Sequence, residues 1–457
     1  MRYTSLNDRV QTEEEKGLNP AGEGPRISRV LPIGLALFAS LAVPYALGII
    51  PAAIKVAYLA AILAASLVLS NWYRHWLVRP VIIIIGCVGL TVTFVDVVAR
   101  RLPAFQPVAR ELSRWPAYPR LYRYQANRTV DRMVHGDLLK ITGNYHLSRR
   151  VVFETDSRGF RNDLATEQRA SSEGVDVVLL GDSFGAGIGV SQQETWARLL
   201  ADRYGVANYN LSLGAASLWQ ELINLKLELG RLKLRANPVL IWMIFVGNDL
   251  DGQYGKSVET PELLDEYQQF LNSVALFRQR SPVIRAHRRL LTPPEVDFFE
   301  VRDMPMGGKI LFVRDYILAK NRTSEQIRLH EHYPRLKHVF REMGRFAKQQ
   351  GLAVRVVMVP TKAEIHPWLL DGSSPGAARA EQSGFSQVIQ ELCQGRGFFF
   401  LDLKPPLLEY LRPVEKVEDL LYLPDDSHWN VRGNRAVAEI IHEQLLQPFA
   451  EGPHSIR

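Results

Sequence analysis

The sequence predicts an α/β domain with a parallel sheet, preceded by an α-helical membrane bundle of about three helices. Three observations predict this. After about residue 150, apolar runs of strand length alternate with amphipathic helical stretches. Several of those runs end on Gly, Ser or Asn, as expected at the carboxyl edge of an open sheet, where α/β folds place their ligands. Ahead of them lie three almost uncharged stretches, each near the ~20 residues a membrane helix needs.

Those stretches are residues 30–50, 52–70 and 81–99, with Lys55 the only basic and Asp96 the only acidic residue within them. Buried helices of a soluble core rarely come as three such segments in close succession. The first stretch begins late and a second follows at once, which disfavours a cleaved signal peptide. Basic residues in short loops set the orientation. Arg26 and Arg29 flank the first span, with Arg2, Arg9 and Lys16 further back, and Arg74 and Arg79 lie between the second and third. The N-terminus and the second loop are therefore expected inside. Three crossings put the C-terminal part outside, an extracytoplasmic domain on a multi-pass inner or plasma membrane protein. Arg100 and Arg101 run against this assignment. Residues 1–27 are polar and read as a flexible tail. Residues 101–150 read as an irregular collar rich in Arg, Tyr and Pro, 151–450 as the α/β domain, and 451–457 as a tail.

Within the domain, Val175–Leu180 is a buried-strand pattern running into Gly181-Asp182-Ser183, with Gly185, Gly187 and Gly189 close behind and a helical pattern from Gln192 to Tyr204. A serine on a tight turn between a buried strand and a helix has its hydroxyl at the sheet edge, where it is a nucleophile if a base reaches it; otherwise it is a helix cap. Asn208–Gly214 ends a short strand at a glycine. Pro238–Val246 is a second buried strand, ending at Gly247-Asn248-Asp249. Backbone N–H groups at Ser183 and Gly214 and the Asn248 amide are candidate donors to an oxyanion. Residues 250–333 have no place in the core sheet and read as an insertion over the active-site edge. A helix over 334–350 leads to a strand at Val354–Pro360. A helix near 384–394 leads to a strand at Phe398–Leu403.

Pro424-Asp425-Asp426-Ser427-His428-Trp429-Asn430 precedes a last helix, expected from Arg435 to Leu446. Neutral imidazole is the usual base for a serine hydroxyl, and a carboxylate fixes its tautomer. Asp425 and Asp426 both lie within reach of His428, and the residues alone leave both open.

Ser183, Gly214, Asn248 and His428, in this order after successive strands, resemble the four blocks of the SGNH/GDSL hydrolase superfamily over about residues 150–450. Phe153–Asn162 resembles the lead-in of its bacterial, membrane-anchored members. Val359-Pro-Thr-Lys362 and the His428-Trp429 pair resemble the alginate O-acetylation branch. The resemblance implies a flavodoxin-like three-layer fold with Ser183 as nucleophile, His428 as base, and Gly214 and Asn248 as oxyanion donors. It also bears on the acid. Spacing of three before the histidine is commoner in the superfamily and favours Asp425; the O-acetylation branch has two, which favours Asp426. Asp425 is the expected partner. The Asn block departs from the usual Gly-x-Asn-Asp, because Gly247 directly precedes Asn248.

The expected function is a membrane-anchored serine ester hydrolase acting on O-acyl groups, chiefly O-acetyl, of a cell-surface glycan or lipid. The alternative is an O-acyltransferase modifying an extracellular polysaccharide, which would need a membrane partner protein to supply the acyl group. A non-catalytic glycan-binding module is the third reading, and a base beside a serine would have no use there. No cofactor and no metal is expected. His330, His332 and His338 do not share the spacing of a zinc site. Net charge is +7, but the arginines are scattered rather than striped, so no nucleic-acid surface is expected. The two cysteines cannot make a disulfide framework. Lys362 at a strand end is either a contact for an anionic ligand or a surface turn lysine.

Overall fold

The computed structural model describes residues 87, 91, 94, 113–115, 118–142, 147–251, 296–373, 380–411 and 417–447. The chain divides into two compact units, Met1–Gln106 with Phe277–His287, and Pro107–Leu276 with Arg288–Arg457. Of the first, only the helical positions Cys87, Thr91 and Phe94 are described. Apart from these three positions in the third, the expected membrane spans and both tails lie outside the described residues. Among the described residues, no helix is long and apolar enough to cross a membrane.

The second unit begins with two antiparallel hairpins, β1 (Ser113–Trp115) with β2 (Tyr118–Arg123), and β3 (Arg128–His135) with β4 (Ser148–Thr155). A short helix, α1 (Leu138–Thr142), lies between β3 and β4. The sequence reading expected an irregular collar here. What it lacked is visible in the packing: Leu121 and Tyr124 are buried in the same apolar cluster as Phe153 and Phe160.

Next come α2 (Leu164–Ser172), β5 (Val175–Leu180), α3 (Trp196–Tyr204), β6 (Asn208–Asn210), α4 (Leu218–Glu228) and β7 (Leu234–Phe245). The insertion contributes a third hairpin, β8 (Phe299–Asp303) and β9 (Lys309–Val313), followed by α5 (Arg314–Lys320) and α6 (Ser324–Leu329). The chain finishes with α7 (Tyr333–Gln350), β10 (Ala353–Val359), α8 (Lys362–Ile365), α9 (Trp368–Asp371), α10 (Gly384–Gln394), β11 (Phe399–Asp402), α11 (Lys404–Glu409) and α12 (Val431–Ile441).

Five strands pair in parallel in the order β11-β10-β7-β5-β6. A parallel sheet is covered on both faces, so its central strands carry near-continuous apolar runs. β7 shows the division. Leu240, Trp242 and Ile244 face a cluster that includes Leu222 of α4, Phe340 of α7 and Ile389 of α10. Val239, Ile241, Met243 and Phe245 face Trp196 and Leu200 of α3 and Val437 and Ile441 of α12. Helices therefore cover both faces of the sheet.

Local signals set the element ends. Thr195 caps α3 by accepting the Arg198 N–H at 3.2 Å, and Gly205, at φ 67°, ends it in the left-handed conformation a glycine adopts without strain. Asn430 caps α12, its side chain accepting the Gly433 N–H at 2.8 Å. That helix starts four residues before Arg435, because an exposed Val431 and a glycine at 433 hide its first turn. It ends in a π turn, His442–Leu446.

The lead-in Phe153–Asn162 braces the turn that carries Ser183. Buried Asp156 accepts from the Tyr209 hydroxyl at 2.6 Å and from Asn162 Nδ2 at 2.7 Å. Asn162 exchanges hydrogen bonds with the backbone of Asn210, whose own amide donates to the Gly185 carbonyl at 3.0 Å. Arg161, buried with its guanidinium over the Phe153 ring, donates to the carbonyls of Ala186, Gly187 and Val190.

Candidate active site

β5 delivers the chain to Gly181, where a Cβ would stand 2.9 Å from that of Met243 on the neighbouring strand. The turn is drawn tight by Asp182, whose side chain accepts the Phe184 N–H at 2.8 Å. At Gly185 a Cβ would lie 2.5 Å from Ser212 Oγ. Only small residues let the turn fold back this closely, and the result presents Ser183, half-buried, at the carboxyl edge.

His428 meets it there. Its Nε2 lies 2.8 Å from Ser183 Oγ, across 245 residues of sequence. Its Nδ1 lies 2.6 Å from Asp426 Oδ1. With the carboxylate accepting from Nδ1–H, the Nε2 lone pair faces the serine hydroxyl, the arrangement a general base needs. The loop is pinned by the Leu423 N–H on the His428 carbonyl at 2.9 Å. The Phe184 ring packs 5.0 Å from the imidazole and 4.9 Å from Trp429, centroid to centroid.

The expected pairing of His428 with Asp425 is corrected. Asp425 is wholly buried and turned the other way. Its carboxylate accepts from Arg149 Nη1 at 2.8 and 2.9 Å and from the Gly136 N–H at 2.9 Å. The physical reason is the partner: a buried carboxylate needs a counter-charge and donors, and the β3–β4 hairpin supplies both to Asp425, leaving Asp426 for the histidine. No local feature of the heptapeptide encodes that hairpin.

Gly214 follows β6, and a Cβ placed on it would stand 3.9 Å from Ser183 Cβ. Its N–H donates to the Tyr124 hydroxyl at 2.8 Å. Asn248 follows β7, and its amide nitrogen is 3.5 Å from the Tyr316 hydroxyl, at the limit of a hydrogen bond. The Asn248 side-chain oxygen is buried without a hydrogen-bond partner among the described residues. Both candidate oxyanion donors thus have a tyrosine hydroxyl beside them. Tyr316 comes from the insertion and its ring packs edge-on against Phe245, 5.0 Å away. Burial, with Asp182, Asp426 and Asp249 nearby, pushes the Tyr316 hydroxyl well above its ordinary pKa, so it stays protonated.

Three buried carboxyl groups lie behind this edge. Asp182, Asp249 and Glu221 are all held above the ordinary carboxylate range, chiefly by burial; Asp182 raises Asp249 further, and Asp249 and Asp182 raise Glu221. Asp249 accepts the Phe245 N–H at 2.7 Å, and Glu221 accepts from Trp242 Nε1 at 2.7 Å.

Lys362 is neither on the surface nor turned to a ligand. Its buried ammonium donates to the Leu423 carbonyl at 2.6 Å, to Leu311 at 2.8 Å and to Pro424 at 3.4 Å. It thereby ties β9 to the loop that carries Asp426 and His428, and the Leu311 N–H adds a bond to the Pro424 carbonyl at 2.8 Å. Burial pushes its pKa down to about 7, against the pull of Asp426 and Asp425. Of the histidines in the insertion, His330 Nε2 lies 3.1 Å from Asp251 and His332 Nδ1 lies 3.1 Å from the Leu250 carbonyl.

Sequence reasoning missed Tyr124, Arg149 and Tyr316. Each reaches the site from a hairpin or insertion whose side chains carry no motif.

Residues 311–455 match the family model of the SGNH hydrolase-like domain of acetyltransferase AlgX. That segment holds Asp426 and His428, and Ser183 lies upstream of it. No curated protein matches the chain significantly. Among solved structures, an acetyl xylan esterase, AlAXEase, aligns at 13% identity over 59% of this chain and 99% of its own, with a TM-score of 0.30. Over residues 311–455 the chain is thus similar to the SGNH hydrolase-like domain of an acetyltransferase, and that stretch supplies the acid and the base of the site.

Proposed function

We propose that this chain is a membrane-anchored enzyme that carries an acetyl group on Ser183 and exchanges it with hydroxyl groups of an extracytoplasmic polysaccharide. The observation behind this is the continuous hydrogen-bonded chain from Asp426 through His428 to Ser183, 2.6 and then 2.8 Å. His428 takes the hydroxyl proton as Ser183 Oγ attacks an acetyl ester carbonyl. The oxyanion is held by the Ser183 N–H, by the Asn248 amide, and by the Gly214 N–H once Tyr124 releases it. His428 then gives its proton to the leaving alkoxide, and acetyl-Ser183 remains. An acceptor hydroxyl loses its proton to His428 and attacks the acetyl carbonyl, and Ser183 is restored. Every step is a proton or acyl transfer between a substrate and Ser183 or His428.

The sequence reading put hydrolysis first. The match to the AlgX acetyltransferase domain favours a sugar hydroxyl as acceptor, with water as the second reading. Membrane anchoring and an extracytoplasmic site rest on the three apolar segments and their flanking arginines. A partner protein that supplies acetyl groups across the membrane belongs to the same proposal.

The test is incubation of the purified protein with an aryl acetate, with and without an oligosaccharide acceptor. Transfer predicts acetylated oligosaccharide at the expense of free acetate. Hydrolysis predicts acetate alone. Acetate release no faster than in buffer, with no acetylated sugar, contradicts both.

A further inference from the structure

We propose that Arg149 is a positioning residue for the acyl-transfer site, one guanidinium holding the Ser183 turn and the Asp426–His428 loop in register. The proposal rests on the reading of Ser183, His428 and Asp426 as the reacting set. Arg149 lies on β4, upstream of the segment that matches the family.

Three contacts radiate from it. Its Nε donates to the Gly189 carbonyl at 2.9 Å. Its Nη1 donates to both oxygens of Asp425. Its Nη2 stands 3.6 Å from Asp426 Oδ2 and has no hydrogen-bond partner among the described residues. Gly189 closes the turn that begins at Ser183. Its φ is +105°, and a Cβ there would lie 2.6 Å from Leu423 Cδ1 and 3.7 Å from His428 Cβ. A side chain at that point would be strained by the backbone and would have to displace the tip of Leu423 between the two loops. Arg149 therefore spans the join between the strand end that carries the nucleophile and the loop that carries the base and acid.

The planar fork matters here. A guanidinium offers five donors in a fixed arrangement and can bind two acceptors on one edge while reaching a third. An ammonium at the same place can neutralise Asp425 but lacks the planar fork that fixes Gly189 and Asp425 relative to one another. Lys362 grips the Leu423 and Pro424 carbonyls of the same loop, so the loop is held between two cations. Misplacing reacting groups by about 1 Å costs on the order of 10²-fold in rate, and the join that Arg149 spans sets the Ser183–His428 separation.

The plainer role for Arg149 is to neutralise buried Asp425 and nothing more. A double variant separates the two. Arg149→Met with Asp425→Asn removes both charges together, so no unpaired ion is left in the interior. The measurement is kcat and KM for an aryl acetate, with the folded fraction from thermal melting, on the full-length wild type, the double variant, Arg149→Lys and Ser183→Ala. Positioning predicts that the double variant and Arg149→Lys both lose kcat, about 10²-fold for the double variant, with KM unchanged and the loss persisting per folded molecule. Wild-type kcat in the double variant, or a loss that merely tracks the folded fraction, overturns it. Wild-type turnover in Ser183→Ala overturns the reading of the reacting set itself, which is a different failure.

Discussion

Asp426 Oδ1 lies 2.6 Å from His428 Nδ1, while the adjacent Asp425 is turned away to Arg149. Two identical side chains, one peptide bond apart, have separate tasks because one faces a histidine and the other a guanidinium. Asp426→Asn removes the acceptor that fixes the imidazole tautomer, and turnover should fall by about 10⁴-fold. Asp425→Asn should cost stability and, through Arg149, a much smaller part of kcat. Turnover and melting temperature of both variants check this. A crippled Asp425→Asn beside a near-wild-type Asp426→Asn would reverse the assignment.

The Gly214 N–H is occupied by the Tyr124 hydroxyl at 2.8 Å. If that N–H serves an oxyanion, the hydroxyl competes with the transition state. A neutral hydrogen bond is worth about 1 kcal/mol net. Tyr124→Phe is therefore expected to raise kcat/KM by roughly fivefold for an aryl acetate. A loss of tenfold or more would instead make Tyr124 a contributor to the reaction. Asn248→Ala, by contrast, should lower kcat by about 10²–10³-fold.

Much of this was legible in the chain because it is local. Val175–Leu180 and Pro238–Val246 are apolar on both faces and could only be central strands of a covered sheet. Gly181, Gly185 and Gly189 announce a turn too tight for side chains. The Asp-x-His spacing brings an acid and a base together within one loop. The rest depended on distant chain. The choice between Asp425 and Asp426 was made by Arg149, 276 residues away. The burial of Lys362 depended on β9 from the insertion, and a lysine after a strand looks the same whether it faces solvent or three carbonyls. Residues 118–142 read as a collar because Arg and Tyr dominate them, while the few side chains that dock, Leu121 and Tyr124, leave no periodic trace.

Lys362 carries a pH prediction. Its folded-state pKa is depressed to about 7 by burial, below the ordinary lysine value of 10.5. Between those values the unfolded chain binds the proton more tightly, so this group's contribution to stability rises with pH from about 7 upward and is complete above the unfolded value. Thermal melts of wild type and Lys362→Met across that window should diverge, the wild type gaining relative to the variant as pH rises. Parallel curves would mean that Lys362 titrates normally in the folded protein.

The flanking charges of the apolar segments predict topology. A reporter active only in the cytoplasm should be silent when fused after residue 110 and active when placed within the loop 71–80. The reverse pattern would give control of the orientation to Arg100 and Arg101.

The central claim is a covalent acetyl group on Ser183, and mass spectrometry of the enzyme quenched during turnover of an aryl acetate tests it most directly. A peptide containing Ser183 should be heavier by one acetyl group, a species absent in Ser183→Ala and strongly reduced in His428→Ala. Full turnover with no acetylated peptide, or with the acetyl group on another residue, would contradict it.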